Sequence, residues 1–247
     1  MVLNIAIAGA NGRMGQMLVN AAKHDTAITN TVAFNRGDDI DTALREANVL
    51  IDFTRPSATL THIAACEKSG VNAVIGTTGF TSDEKNRITA ASKKIAIVLA
   101  PNTSLGVNVT ATVVAMAARS LGMAADIDVF DAHHKMKVDA PSGTALMLGE
   151  VAAAARGQNF SDVARYTSNG ARPAGSIGFS AVRAGDIIGE HTVFFVLDGE
   201  RIEITHKSQS RATYAIGALG AAKFLRDKTS GLYDMQDVLG LRNVSSL

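Results

Sequence analysis

Cysteine occurs once in the 247 residues, at Cys66, proline four times and tryptophan not at all. A single thiol closes no intrachain disulfide and builds no cysteine-based zinc site, so neither staple holds this fold. The count suits a reducing cytosol. An excess of charge of one sign is also missing. Lys and Arg number 24 against 23 Asp and Glu, a formal net charge of +1, which denies the chain the broad basic field of a nucleic-acid binder. Uninterrupted apolar runs of spanning length are absent as well. The stretch 95–118 carries no charge, but Pro101-Asn102-Thr103-Ser104 breaks it and Asn108, Thr110 and Thr112 follow. It reads as two buried elements joined by a polar loop, so no membrane partner is expected. The first residues lack a basic n-region, and their short apolar run ends in a glycine turn, the mark of a core strand rather than a signal peptide.

What is present is an ordinary globular balance, 47% hydrophobic and 19% charged, in a length that allows one to two domains. The first hundred residues alternate strand-like and helix-like patterns. Strands are expected at 4–8, 29–34, 49–52, 72–75 and 95–99. Helices are expected at 13–23, at 57–68 with Ser57 as cap, and at 81–93, where Thr81 and Glu84 form a capping-box pattern. Such alternation predicts a parallel sheet covered by helices on both faces. The second half reads as a mixed α+β region. It has helices at 107–121 and 142–155, a strand at 126–132, and strands at 177–183, 191–197 and 200–207 in an open, antiparallel-type sheet. Asp198-Gly199 joins the last two as a hairpin. Residues 157–174 read as a long polar loop, and 211–226 as the final long helix.

Gly9-Ala10-Asn11-Gly12-Arg13-Met14-Gly15 follows the first strand and opens the first helix. The spacing is a relative of the dinucleotide fingerprint: Gly9 for the tight turn, Gly12 for close approach of a pyrophosphate, Gly15 for helix–strand packing. The helix start adds N–H groups and a partial positive charge. The residue that reads the adenine ribose is expected about 20 positions further on. Asn35 stands there, followed by Arg36. Without a carboxylate at 35, and with a guanidinium at 36 to clamp a 2′-phosphate, NADPH is the expected preference and NADH the lesser cofactor. The competing arrangement is a solvated Arg36 with Asp38 or Asp39 serving the ribose. Gly76-Thr77-Thr78-Gly79-Phe80 and Ala100-Pro101-Asn102-Thr103-Ser104 follow the fourth and fifth strands, at the carboxyl ends where open α/β sheets bind ligands.

Residues 131–145 concentrate polar chemistry: Asp131-Ala132-His133-His134-Lys135-Met136-Lys137-Val138-Asp139-Ala140-Pro141-Ser142-Gly143-Thr144-Ala145. Histidine is the natural proton donor near neutral pH. Lysine supplies a cation for an anionic substrate or, with a lowered pKa, a proton. A helix opening at Pro141-Ser142-Gly143-Thr144 can hold a carboxylate on its amides. Metal binding is not expected, because adjacent residues of a strand face opposite ways and no H-E-x-x-H or cysteine partner is present. The remaining reading of the segment is a solvated basic loop.

With these motifs in order, the chain resembles the 4-hydroxy-tetrahydrodipicolinate reductase (dihydrodipicolinate reductase) family of the diaminopimelate route to lysine. The resemblance covers nearly the whole chain, and the segment 133–145 is its most specific part. It implies an α/β fold with a Rossmann-type dinucleotide-binding domain, 1–105 with 214–247, and an α+β substrate-binding and tetramerisation domain, 106–213, with an open mixed sheet. It implies His133 as catalytic acid/base, Lys137 as proton donor, and His134, Gly143 and Thr144 as ligands of a small dicarboxylate substrate. The cofactor site would be lined by Gly9 to Met14, Asn35, Arg36, Gly76, Thr77, Thr78, Ala100, Pro101, Asn102 and Thr103. A cytoplasmic homotetramer is the implied setting. Position 35 is often Glu in the family, and Asp131 stands where Glu is common. Two other functions compete: a dinucleotide-sensing binding protein without catalysis, and another NADP-dependent reductase of the semialdehyde dehydrogenase kind, which needs a nucleophilic cysteine.

Overall fold

The computed structural model describes residues 2–167 and 169–242, and its chain divides into two compact units. The first joins Met1–Leu105 to Ala212–Gly240. Its elements are β1 (Asn4–Ala8), α1 (Arg13–Lys23), β2 (Asn30–Phe34), α2 (Ile40–Leu44), β3 (Val49–Asp52), α3 (Pro56–Ser69), β4 (Asn72–Ile75), α4 (Ser82–Ala91) and β5 (Ala96–Leu99). The second unit, Gly106–Arg211, holds most of α5 (Leu105–Leu121), then β6 (Asp126–His133), α6 (Gly143–Ala155), α7 (Phe160–Val163), β7 (Ala164–Arg165), β8 (Ile177–Arg183), β9 (Gly189–Leu197) and β10 (Glu200–Ser208). The chain then returns to the first unit as α8 (Ala212–Leu225), β11 (Gly231–Tyr233) and α9 (Met235–Val238).

The first unit is a six-stranded sheet in the order β11-β5-β4-β3-β1-β2, parallel at every pairing. Its central strands are apolar on both sides because both faces are covered. Ile5, Ile7, Val49, Ile51, Val74 and Val98 pack with Leu18 of α1 and Ala218, Ala222 and Leu225 of α8. The alternate residues Ala6, Leu50, Ala73, Ile75 and Ile97 pack with Leu44, Ile63, Cys66 and Ile88 of α2, α3 and α4. Asn72 ties the returning segment into this sheet. Its side-chain Nδ2 donates to the carbonyls of Leu225 (3.0 Å) and Lys228 (2.9 Å), and its Oδ1 accepts from the Ala96 N–H (2.8 Å).

The second unit is a five-stranded sheet in the order β10-β9-β6-β8-β7. The expected antiparallel character holds for β10–β9 and β9–β6. It fails for β6–β8 and β7–β8, which are parallel, so the sheet is mixed. One face, with Ile127, Val129, Ile177, Phe179, Val193 and Phe195, packs against Ala111, Val114 and Ala118 of α5 and Leu148 and Ala152 of α6. By length and composition the helical stretch Leu105–Ala124 could cross a membrane, yet this face of α5 belongs to a folded core. Its Thr110 and Thr112 hydroxyls are bonded back to Gly106 and Asn108 carbonyls of the same helix.

Several local expectations are corrected. Helix α3 is capped at Arg55 with Pro56 in the first helical turn, not at Ser57, since Pro is pre-organised for that position and loses nothing by lacking an N–H there. The expected loop 157–174 contains α7 and β7, with Ser168 outside the described residues. The helix after 211 is not the last element, for β11 and α9 follow. The tail 243–247 also lies outside the described residues.

Candidate active site

Two groups of site residues are built, one in each unit. In the first, the turn after β1 depends on glycine. Gly9 adopts φ +66, and a Cβ on Gly15 would lie 2.2 Å from the Gly9 carbonyl oxygen. Helix α1 therefore starts hard against the turn. Its N-cap, Gly12, offers no side-chain cap, and no acidic residue occupies its first turn. Helix α3 also starts without a side-chain cap, whereas α2, α4 and α6 are capped by Asp39, Thr81 and Ser142. The uncapped starts of α1 and α3 belong to the strand ends of β1 and β3. A cleft of about 480 Å³ lies there, lined among others by Gly9, Asn35, Arg36, Thr54, Arg55 and His62. The pattern of glycines, open amides and two guanidinium groups fits a nicotinamide dinucleotide: the turn and the α1 start would take the pyrophosphate, Arg36 and its neighbours the adenosine end.

The Asn35 side chain accepts the Asn11 N–H at 2.9 Å, which ties position 35 to the glycine turn. Asp39 is committed to α2, accepting from the Asp41 N–H and the Thr42 hydroxyl. Asp38 lines the cleft while accepting the Asn35 N–H at 2.7 Å. Gly76 admits no side chain, because a Cβ would meet the Phe53 ring at 2.0 Å. Thr77 is buried against Thr59 and Asp52, and Thr78 is exposed. Among residues 100–103, Ala100 is buried and Pro101 exposed, Asn102 accepts the Ser104 N–H, and the Thr103 hydroxyl donates to the Tyr214 carbonyl at 2.8 Å. The Thr103 hydroxyl proton is therefore committed to α8.

Sequence reasoning missed Asp52 and His62. Asp52 is buried at the end of β3 and accepts from His62 Nδ1 at 2.8 Å and from the Thr54 N–H and hydroxyl. Burial pushes its pKa up, but these donors outweigh burial and hold it below the usual carboxylate range. Its position after β3 matches that of the motifs after β4 and β5, and the strand-end rule applied to 52–55 would have found it.

In the second unit, alternate residues of β6 put Asp131 and His133 on one face. Register sets Arg183 of β8 opposite His133, His191 of β9 opposite Asp131, and His206 of β10 opposite His191. His133 Nδ1 lies 2.8 Å from the fully buried Asp131 carboxylate, so Nε2 is the ring nitrogen turned away from that carboxylate. A Cβ at Gly189 would come within 3.2 Å of that nitrogen. Lys137 Nζ sits 2.8 Å from each carboxylate oxygen of Asp139. Gly143 and Thr144 open α6, where the Ser142 hydroxyl accepts the Ala145 N–H and the first turn carries no acid. Arg211, also missed from the sequence, brings its guanidinium within 3.3 Å of His134 Nε2. Ligand-type atoms of Asp131, His133 and His191 lie within 4.8 Å of one another, but the Arg183 guanidinium already occupies the Asp131 oxygen that faces His133.

Nearly all of the chain matches two known family models: "Dihydrodipicolinate reductase, N-terminus" over 3–103 and "Dihydrodipicolinate reductase, C-terminus" over 106–239. The chain belongs to the dihydrodipicolinate reductase family. Among curated relatives in this family, the 4-hydroxy-tetrahydrodipicolinate reductase of Nitrosospira multiformis is 50% identical over 265 residues, covering 97% of this chain and 98% of that one. The Bordetella pertussis reductase is 51% identical over 262 residues, covering 96% and 97%. A dipicolinate-bound dihydrodipicolinate reductase from Paenisporosarcina sp. TG-14 shares the fold, with a TM-score of 0.80 at 21% identity over 95% of this chain and 98% of that one. The semialdehyde dehydrogenase route is closed by Cys66, which is buried within α3 and whose thiol is pushed far up by burial and by Asp52.

His191 is 4% exposed. Burial first, then the neighbouring His133, push its pKa down to about 4 from 6.5. The folded protein thus keeps His191 neutral where the unfolded chain already binds a proton. Stability is complete above about pH 6.5 and is lost as pH falls toward 4, by up to about 3 kcal/mol for this one group. Denaturant midpoints measured across that window should fall less steeply in His191→Gln than in the wild type. Parallel slopes would refute the assignment.

Proposed function

We propose that this chain catalyses the NAD(P)H-dependent reduction of 4-hydroxy-tetrahydrodipicolinate to tetrahydrodipicolinate, on the diaminopimelate route to lysine. The observation that carries the reading is the grouping in one unit of an aspartate-held His133, Lys137 and the start of α6, whose first turn carries no acidic residue. Half-identity over the full length to reductases of that name supports it. In the net reaction one hydride and one proton enter the substrate and one water leaves. A bound reduced nicotinamide supplies the hydride. The substrate's carboxylates are held by the amides of Gly143 and Thr144, by the Arg211 guanidinium and by the His134 imidazole. Lys137 gives up its Asp139 partner to substrate and delivers the proton as negative charge develops on the ring, and His133 Nε2 acts as the acid/base beside it. A coupled assay with pyruvate, aspartate semialdehyde and a synthase, followed by NADPH absorbance, tests the activity. No NADPH loss above the synthase-only control refutes it.

NADPH is the preferred cofactor in this reading. Asn35 brings no carboxylate to the ribose and Arg36 brings a cation to a 2′-phosphate. The two effects add, giving at least about tenfold in kcat/KM over NADH, or roughly 1.4 kcal/mol. Asn35→Glu should move preference toward NADH, and Arg36→Ala should weaken NADPH alone. Equal efficiency of the two cofactors in the wild type would clear residues 35 and 36 of the choice and point to Asp38. A cytoplasmic homotetramer belongs to the same reading. Its support is the second sheet face, where Val182 and Val196 are 41% and 42% exposed on the side opposite the packed core.

A further inference from the structure

Asp131 performs no step in that chemistry, yet its carboxylate is buried and met by three donors. It has no exposed surface. One oxygen takes His133 Nδ1 at 2.8 Å and Arg183 Nη1 at 2.9 Å, and the other accepts the Ser142 N–H at 3.3 Å. The three donors come from β6, from β8 and from the residue that caps α6. Arg183 extends the reach: its Nη2 donates to the Asp139 carbonyl at 2.6 Å, and the Asp139 carboxylate holds Lys137. A buried carboxylate costs several kcal/mol unless its lone pairs are filled. Here they are filled by groups that lead to each part of the site.

The geometry points to Asp131 as the positioning residue of this site, one carboxylate that aims His133, anchors the substrate-binding start of α6 and, through Arg183, fixes the loop carrying Lys137. The assignment rests on the reductase reading for what the site does, but not for how the side chains are held. With Nδ1–H directed at Asp131, His133 is locked in the tautomer that leaves Nε2 open. The charged and titratable groups that face it come from every packed element: Asp131 on β6, Arg183 on β8, the imidazoles of His191 on β9 and of His206 behind it on β10, and Lys137 and Asp139 from the loop. Burial lowers the His133 pKa most, Asp131 raises it, and Lys137 and Arg183 lower it. Removing Asp131 and removing Arg183 therefore push His133 in opposite directions. A merely structural role would not produce that pair of signs.

The test is an NMR titration of the His133 imidazole, with its tautomer read at neutral pH, in the wild type, Asp131→Asn, Asp131→Glu and Arg183→Gln, alongside kcat and both KM values. Asp131→Asn should lower the His133 pKa, lose the fixed Nδ1–H tautomer and reduce kcat by about tenfold or more. The NADPH KM should stay near normal. Asp131→Glu, which keeps the charge, should recover most of the turnover, and Arg183→Gln should raise the His133 pKa. A His133 titration unchanged in Asp131→Asn overturns the proposal. If that variant does not fold, an unmoved or lowered His133 pKa in Arg183→Gln overturns it instead. A wild type that folds but does not turn over the substrate refutes the reductase reading, and the titrations still decide the role of Asp131.

Discussion

Replacing Lys137 by Ala is expected to lower kcat by about 10²-fold or more, the scale of a lost general acid. Its ammonium is held by the Asp139 carboxylate, and its side chain is 21% exposed. That partner is an exposed one, so the pair contributes little to stability and can open for a substrate at little cost. Arg211 already supplies a cation on the same unit, beside the His134 ring. Lys137→Ala should therefore damage turnover more than substrate binding, and leave folding and the NADPH KM near their wild-type values. His133→Ala should show a loss of similar size. Steady-state kinetics with both substrates varied separates the cases. Turnover close to normal in either variant would remove that residue from the proton-transfer step.

Gly143→Val should raise the substrate KM by about tenfold or more, the equivalent of roughly 1.4 kcal/mol of lost charge-assisted contact. This position isolates ligand approach from folding. A Cβ at Gly143 would meet nothing within 4 Å and the residue does not need a positive φ, so valine enters open space. Valine is also a better helix former than glycine, by a few tenths of a kcal/mol, so the exchange carries no propensity cost. The thermal midpoint and the NADPH KM should stay nearly constant. An unchanged substrate KM in a folded variant would place the carboxylate away from the start of α6.

The strands and helices around the glycine turn were legible because their signals are local. The run at 4–8, the glycines at 9, 12 and 15 and the Thr81–Glu84 box each declare themselves within a few residues, and β1, α1 and α4 follow. The segment 133–145 was legible for the same reason. What escaped is held by distant partners. Strand β11 has three residues and exists through pairing with β5, more than 130 positions earlier in the chain. Helix α2 is a five-residue turn capped by Asp39, a residue that the sequence offered equally to a ribose. The order β10-β9-β6-β8-β7 inserts β6 between two strands that follow it, and no hydrophobic period records such a choice. Asp131 was visible as an acid before two histidines, but Arg183 becomes its partner only through parallel register. Arg211 stood at the edge of a helix and meets His134 across 77 positions.

Because α8 and β11 belong to the first unit, a nascent chain cannot finish its first folding unit until it has been made past Tyr233. Until then Ile5, Ile7, Ile51, Val74 and Val98 lack the cover that Ala218, Ala222 and Leu225 later provide, and β5 presents an unpaired parallel edge. The Asn72 carboxamide also waits, since two of its acceptors are the Leu225 and Lys228 carbonyls. The intervening second unit has its own core and can collapse while the first stands open. Synthesis thus exposes a sticky half-sheet for the time needed to make more than a hundred further residues. A stop codon before 212 would make that exposure permanent, turning a transient hazard of translation into an aggregating fragment.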